Sequence, residues 1–263
     1  MYILALETTG KYGSAAVINS DGKVFSASSK NEMNHLQDII NITDKALQLA
    51  GIEKADLTHI ACSVGPGSFT GIRIGVTTAR TLSQFLNIPA VPVSTLLAMA
   101  ERCSRTANLS SCPLILATIN ARRHQTYAGL WRIQLNNEIN ELDEQHRTDN
   151  TRLELLPVAN ERQYMIEEIL EIAQKTGEKI YITGDGIDAY QEIIENTLGA
   201  DSFVLADEQL RYQSAESVVR IALESALSGS TISYDKLLPN YMRLSEAEQN
   251  LQAGTLSSKI SSL

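Results

Sequence analysis

The sequence predicts an α/β protein of two lobes, and three observations predict it. Apolar residues alternate with period two in the opening segments "YILALETT", "GSAAVIN" and "DGKVFSASS", the pattern of strands with one buried face. Later segments carry apolar residues at three- and four-residue spacing and stop at glycine or proline, as amphipathic helices do. After the polar stretch "SRTANLSS" (104–111) the strand pattern begins again with "PLILATIN", which marks the boundary between lobes.

The first three segments read as an antiparallel meander turned at Asp21-Gly22. From Asn34, the positions Leu36, Ile39, Ile40, Thr43, Leu47 and Ala50 give a helix that Gly51 can terminate. "THIACSVG" suits a buried strand. "GPGSFTGIRIG" (65–75) turns it into a helix over Thr70–Asn87, stopped by Pro89. "IPAVPVSTLLAMAERC" supplies a short strand and a further helix, so residues 1–103 read β-β-β-α-β-α-β-α.

The second lobe is assigned to residues 112–210. It holds the strands "PLILATIN" and "TYAGLWRI", a polar, acidic loop or edge at 134–152, and a helix over Tyr164–Lys175. The strand "KIYITG", the turn "GDG" (184–186) and a helix from near Asp188 follow. Residues 211–246 read as a closing segment with a helix over Ala215–Leu227, and residues 247–263 as a loose serine-rich tail. No tandem repeat occurs at solenoid periods.

The composition is that of a globular protein with enough apolar residues for a sizeable core: 43% are hydrophobic over 263 positions. A net charge of −9 opposes binding of polyanions over the whole surface, which argues against a stand-alone nucleic-acid binder. The opening "MYILALETTG" reads as a mature first strand rather than a signal peptide, and no apolar run approaches a membrane span. Cys62, Cys103 and Cys112 form no CxxC pair. A reduced, cytoplasmic setting is the expectation.

Two readings stay open for the glycine loop. It follows a strand and opens a helix, so its amides and the helix dipole suit an anion. Gly65, Gly67 and Gly71, however, give GxGxxxG, longer than the dinucleotide fingerprint, and no Gly-Lys-Ser/Thr follows as a P-loop requires. A structural turn is the other reading. Gly71, Gly75 and Ala79 recur every four residues and leave one helix face nearly bare, which implies close approach by an internal or an external partner. The hairpin "ETTGKYGS" offers Glu7, Thr8, Thr9 and Ser14, and "NARRHQTY" offers Arg122 and Arg123, either as a solvated turn or as an anion clamp. His35, His59, His124 and His146 are scattered without metal-ligand spacing, and no GxSxG elbow is present. No catalytic residue and no metal ligand is assigned.

Several of these segments, "ILALETT", "GPGSFTGIRIG", "NARRHQTY", "TGDG" and "LPNYMRLSEAE", together resemble in order the bacterial TsaB family, also called YeaZ. The resemblance covers residues 1–246 and implies the actin, Hsp70 and sugar-kinase fold, two ribonuclease-H-like lobes with the opening hairpin as a remnant phosphate loop. It implies a non-catalytic role in making threonylcarbamoyladenosine, the modified base 3′ of the tRNA anticodon. The implied partners are the transferase TsaD, as a heterodimer, and the ATPase TsaE, with a homodimer when TsaD is absent and tRNA reached indirectly through the complex.

Carried onto this sequence, the resemblance places the partner and dimer interface at His35, Ile39, Thr43, Gly71, Gly75, Thr78, Ala79 and Leu82. A phosphate-contacting loop would comprise Glu7, Thr8, Thr9, Gly65, Gly67 and Ser68. No cofactor would be held firmly by this chain alone, with ATP or ADP a ligand of the complex. Glu7 stands where the family typically has aspartate. An active ATP-dependent phosphotransferase or ATPase of the same superfamily is the alternative, and a metallopeptidase a third reading.

Overall fold

Six residues from Tyr2 to Glu7 form β1, which pairs antiparallel with β2 (Ser14–Asn19). β2 in turn pairs with β3 (Val24–Ser28), turned at Gly22 with φ 78°. The computed structural model describes residues 1–107, 109, 111–136 and 152–242. After α1 (His35–Ala50), β4 (His59–Gly65) lies parallel to β1. After α2 (Phe69–Leu86), β5 (Ala90–Ser94) lies parallel to β4. The sheet order is β3-β2-β1-β4-β5, and α3 (Thr95–Thr106) completes the first lobe's eight elements.

The second lobe runs the same course. β6 (Leu114–Asn120), β7 (Gln125–Asn136) and β8 (Arg152–Met165) form the meander, followed by α4 (Ile166–Gln174), β9 (Ile180–Thr183), α5 (Gly186–Leu198), β10 (Phe203–Leu205) and α6 (Ala215–Leu227). Its sheet order, β8-β7-β6-β9-β10, repeats that of the first lobe, with β6 and β9 parallel and β6 and β7 antiparallel.

Local chemistry explains the boundaries. Gly51 ends α1 in the left-handed region, its N–H bonded to the Gln48 carbonyl, as a glycine cap does. The Ser68, Ser94 and Ser214 hydroxyls accept amide hydrogen bonds at the starts of α2, α3 and α6.

The expected helix over Tyr164–Lys175 starts later, at Ile166, because Tyr164 and Met165 still pair with β7. β10 was not anticipated; it is only three residues long. Of the expected polar loop, 134–136 belong to β7 and Arg152 opens β8, while residues 137–151 lie outside the described residues, as does the tail at 247–263.

The last helix of each lobe crosses to the other. Leu96, Met99, Ala100 and Cys103 of α3 join the core of the second lobe beside Leu114 and Leu116. Ala215, Val218, Val219 and Ala222 of α6 pack on Ile3, Ala5, Ala16 and Ile18 of β1 and β2. The opposite face of the first sheet is covered by α1 and α2, through Ile39, Ile42, Ala46, Ile72, Val76 and Ala79. Exchange of helices makes the lobes one packed unit around an interlobe cleft.

Candidate functional site

At the cleft, the end of β1 and the glycine loop are fastened to each other. The Thr8 hydroxyl donates to the Gly71 carbonyl at 2.7 Å, and the Ser68 amide donates to the Thr9 carbonyl at 2.8 Å. A Cβ at Gly71 would fall closer than 3.0 Å to the Thr8 carbonyl oxygen, and one at Gly75 closer than 3.0 Å to the Thr8 hydroxyl. At Gly71 and Gly75 the bare face of α2 is therefore occupied by the protein's own Thr8, the residue that follows β1.

Glu7 is fully buried. Its Oε1 accepts from the Thr9 amide at 2.5 Å and the Thr9 hydroxyl at 2.6 Å, and its Oε2 accepts from Ser63. Burial pushes the Glu7 carboxyl above the usual range, against the hydrogen bonds from Ser63 and Thr9 that favour the ionised form.

Of the six residues expected to contact phosphate, Thr9, Gly67 and Ser68 line a cleft cavity of about 470 Å³; Glu7, Thr8 and Gly65 do not line it. Glu7 and Thr8 are committed to the contacts above, and Gly65 abuts the Asn240 carbonyl. The far wall holds Ile119, Asn120, Tyr127, Asp185 and Asp188. Lys11 at its rim pairs with Glu32 at 2.8 Å, and Asp188 with Arg211 at 2.6 Å. Asp185 accepts the Asn120 amide at 2.9 Å, and burial raises its pKa. Among the described residues, no group of three or more His, Cys, Asp and Glu is placed to hold a metal ion.

The interface residues assigned by resemblance need correction. His35, Ile39 and Thr43 are 3%, 2% and 3% exposed and point into the first lobe, His35 Nε2 lying 2.9 Å from the Gly10 carbonyl. Gly71, Gly75 and Ala79 are also buried, so none of these six offers a side chain to a partner. Thr78 and Leu82 on α2 are half-buried, Leu82 packing against the core of the first lobe.

The apolar residues that do face outward are different ones. Leu36 and Ile40 on α1 are 73% and 56% exposed, and Phe85 on α2 is 83% exposed. Phe69, also exposed, stacks on Tyr241 at 4.9 Å, with Arg73 over its ring and bonded to the Tyr241 hydroxyl. The seven apolar positions of α1 from Leu36 to Leu49 exceed what one buried stripe accommodates, and that surplus was the available signal.

At the tip joining β6 and β7, Arg122, Arg123 and His124 have φ of 64°, 55° and 60°. Each non-glycine residue in that region costs roughly 1–2 kcal/mol. The turn is pinned from several sides. Asn120 Oδ1 accepts from the Arg122 amide at 2.8 Å and from the Tyr190 hydroxyl at 3.0 Å, and the Ile166 amide donates to the His124 carbonyl at 3.0 Å. All three side chains are exposed. Tyr190, at a kink inside α5, had no distinguishing signal in the sequence.

A duplicated β-β-β-α-β-α-β-α unit with sheet order 3-2-1-4-5, its two copies exchanging their last helices around a cleft, defines a two-lobed ribonuclease-H-like protein of the actin and sugar-kinase class. The chain belongs to the family described as "TsaD: tRNA N6-adenosine threonylcarbamoyltransferase", whose model matches residues 28–251. It is 28% identical to the tRNA threonylcarbamoyladenosine biosynthesis protein TsaB of Bacillus subtilis, over 94% of this chain and 96% of that one. To the protein of the same name from Escherichia coli it is 29% identical, over 95% and 98%. In structure it is similar to YeaZ from Pseudomonas aeruginosa, with a TM-score of 0.69 at 22% identity over 91% of this chain and 99% of that one. Among the described residues, no helix is long and apolar enough to cross a membrane.

Proposed function

We propose that this chain is a non-catalytic subunit in the biosynthesis of threonylcarbamoyladenosine in tRNA. It binds a TsaD-like transferase and supports transfer of the threonylcarbamoyl group to the adenosine 3′ of the anticodon, together with a TsaE-like ATPase in the cytoplasm. The observation that carries the reading is the exposed apolar surface of α1 and α2, with Leu36, Ile40 and Phe85 outward while the cores beneath are already filled. Apolar side chains gathered on one face mark a protein-binding surface. The relatives named above, matched over nearly their whole length, support the pathway. When the transferase is absent, the same face closes on a second copy of the chain.

The test is threonylcarbamoyl transfer to an unmodified tRNA, reconstituted from the transferase, the ATPase and the adenylate-forming enzyme with and without this chain. Product only in its presence is the expected result; equal product without it contradicts the reading.

The cleft cavity favours a second reading, a nucleotide-using phosphotransferase, because about 470 Å³ is the size of a small-molecule site. Against it stand the commitment of Glu7 to Thr9 and Ser63 and of the Ser68 amide to Thr9. Calorimetric titration of the isolated chain with ATP separates the two: micromolar binding favours the enzyme, no heat the subunit.

A further inference from the structure

We propose that Arg73, clamped on the exposed face of α2, receives a carboxylate of the transferase partner and so favours that partner over a second copy of this chain. The inference rests on the function proposed above and names the chemistry by which the first-lobe face distinguishes its two occupants.

An exposed arginine ordinarily samples many rotamers, and a partner that orders it works against that freedom. Here the freedom is already gone. The guanidinium lies 4.0 Å over the Phe69 ring, its Nε donates to the Tyr241 hydroxyl at 2.9 Å, and the Phe69 and Tyr241 rings stack at 4.9 Å. All three residues are exposed. The Asn240 amide, next to Tyr241, donates to the Val64 carbonyl at 2.8 Å, which fixes the clamp to the end of β4.

Among the described residues, no carboxylate pairs with Arg73. Its Nη1 and Nη2 groups are left for an outside acceptor, and a carboxylate matches that fork with two parallel hydrogen bonds. Arg73 also belongs to the surface proposed for association. Phe69, Arg73, Thr77, Thr81 and Phe85 recur every fourth residue and are all exposed, one stripe along α2. A guanidinium held between aromatic rings on such a stripe has the composition of an interface hot spot.

Charge separates the two occupants. α2 has no carboxylate, and its other charge, Arg80, is half-buried near Asp235. The two carboxylates of α1 are engaged: Asp38 accepts from the Asn34 amide group at 3.3 Å and from the Ser29 hydroxyl, and Asp44 pairs with Lys54 at 2.8 Å. A second copy meeting this face therefore brings no unpaired carboxylate from either helix. A transferase surface with a free aspartate or glutamate does. Phosphate of RNA fits less well, since exposed apolar side chains share the face and a net charge of −9 repels a polyanion.

In the test, the full-length chain is titrated with its transferase partner, and its self-association is followed in parallel by sedimentation equilibrium, for the wild type and Arg73→Gln. The variant is expected to melt as the wild type does, to lose roughly tenfold in transferase affinity and to dimerise within about twofold of the wild-type constant. Arg73→Lys keeps the charge without the fork or the stack, and should also bind the transferase more weakly. Tyr241→Phe frees Nε with the arginine in place. It should lose about threefold, and it decides the matter if Arg73→Gln is destabilised.

Unchanged transferase affinity in folded Arg73→Gln overturns the proposal. So does an equal loss in both associations, which would make Arg73 a general support of the face. Loss of tRNA binding by the complex with transferase affinity intact overturns it too, by assigning the cation to a phosphodiester. If the wild-type chain is monomeric, the transferase titration alone decides. A wild type that does not bind the transferase removes the proposed function and the role of Arg73 with it, whereas a binding wild type with an indifferent variant removes the role of Arg73 alone.

Discussion

The two lobes repeat one architecture and differ in what they show to solvent. In each, a threonine on or just after the first strand sits against glycines at the start of the second helix: Thr8 against Gly71 and Gly75, and Thr118 against Gly184 and Gly186. The outer helix pairs share nothing of the kind. α1 and α2 carry exposed Leu36, Ile40, Leu49, Phe69 and Phe85, while α4 and α5 expose Glu167, Glu168, Glu171, Glu192 and Glu195. A shared core device with opposite surfaces separates what the fold requires from what function requires. The glycines belong to the fold, and the apolar outer face is the surface proposed for association.

The largest expected effect tests the shared device. Gly71→Ala and Gly184→Ala each drive a Cβ into a backbone carbonyl that cannot rotate away, and should cost about 3 kcal/mol or more. Gly184 should be the costlier, because its φ of 108° also disfavours alanine. Urea denaturation checks both. Loss in one lobe only would break the equivalence.

A smaller effect separates the lobes by pH. β1 carries the buried Glu7, whereas β6 contains no carboxylate. Because burial raises the Glu7 pKa above its ordinary value of 4.5, the folded state holds the proton more tightly than the unfolded chain. The resulting penalty is absent at acid pH, where both states are protonated, grows as pH rises through the folded pKa, and is complete above it. Glu7→Gln should therefore flatten part of the decline in melting temperature above pH 4.5. A steeper decline in the variant would contradict the assignment.

The smallest is Thr8→Val, which removes the hydroxyl bond to the Gly71 carbonyl at nearly constant volume. A loss of about 1 kcal/mol in the same urea assay is expected. No change would mean that packing alone holds the strand end to α2.

Much of this was legible in the sequence. All eight elements of the first lobe could be read in order, because period-two and three-to-four spacing alternate there with clear glycine and proline stops. In the second lobe, β8 ends in the polar "NERQYM", an edge strand that periodicity does not separate from the helix after it, and β10 is too short to carry a pattern. The Gly71, Gly75 and Ala79 stripe reads in the sequence as a site of close approach with its neighbour, internal or external, left open; the structure sets Thr8 against Gly71 and Gly75. Spacing reveals that a face is bare, whereas identifying Thr8 as the group that fills it requires the register of β1 against α2. The same limit hid the division of α1, where Ile39 points inward and Ile40 outward.

The central claim is that association belongs to the outer face of the first lobe, and titration of the transferase partner against matched pairs of variants tests it most directly. Leu36→Asp with Ile40→Asp should fold as the wild type does and lose roughly a hundredfold in affinity. Glu168→Lys with Glu171→Lys on the second lobe should stay within about twofold. Equal affinity for the first pair, or a greater loss for the second, would contradict the claim.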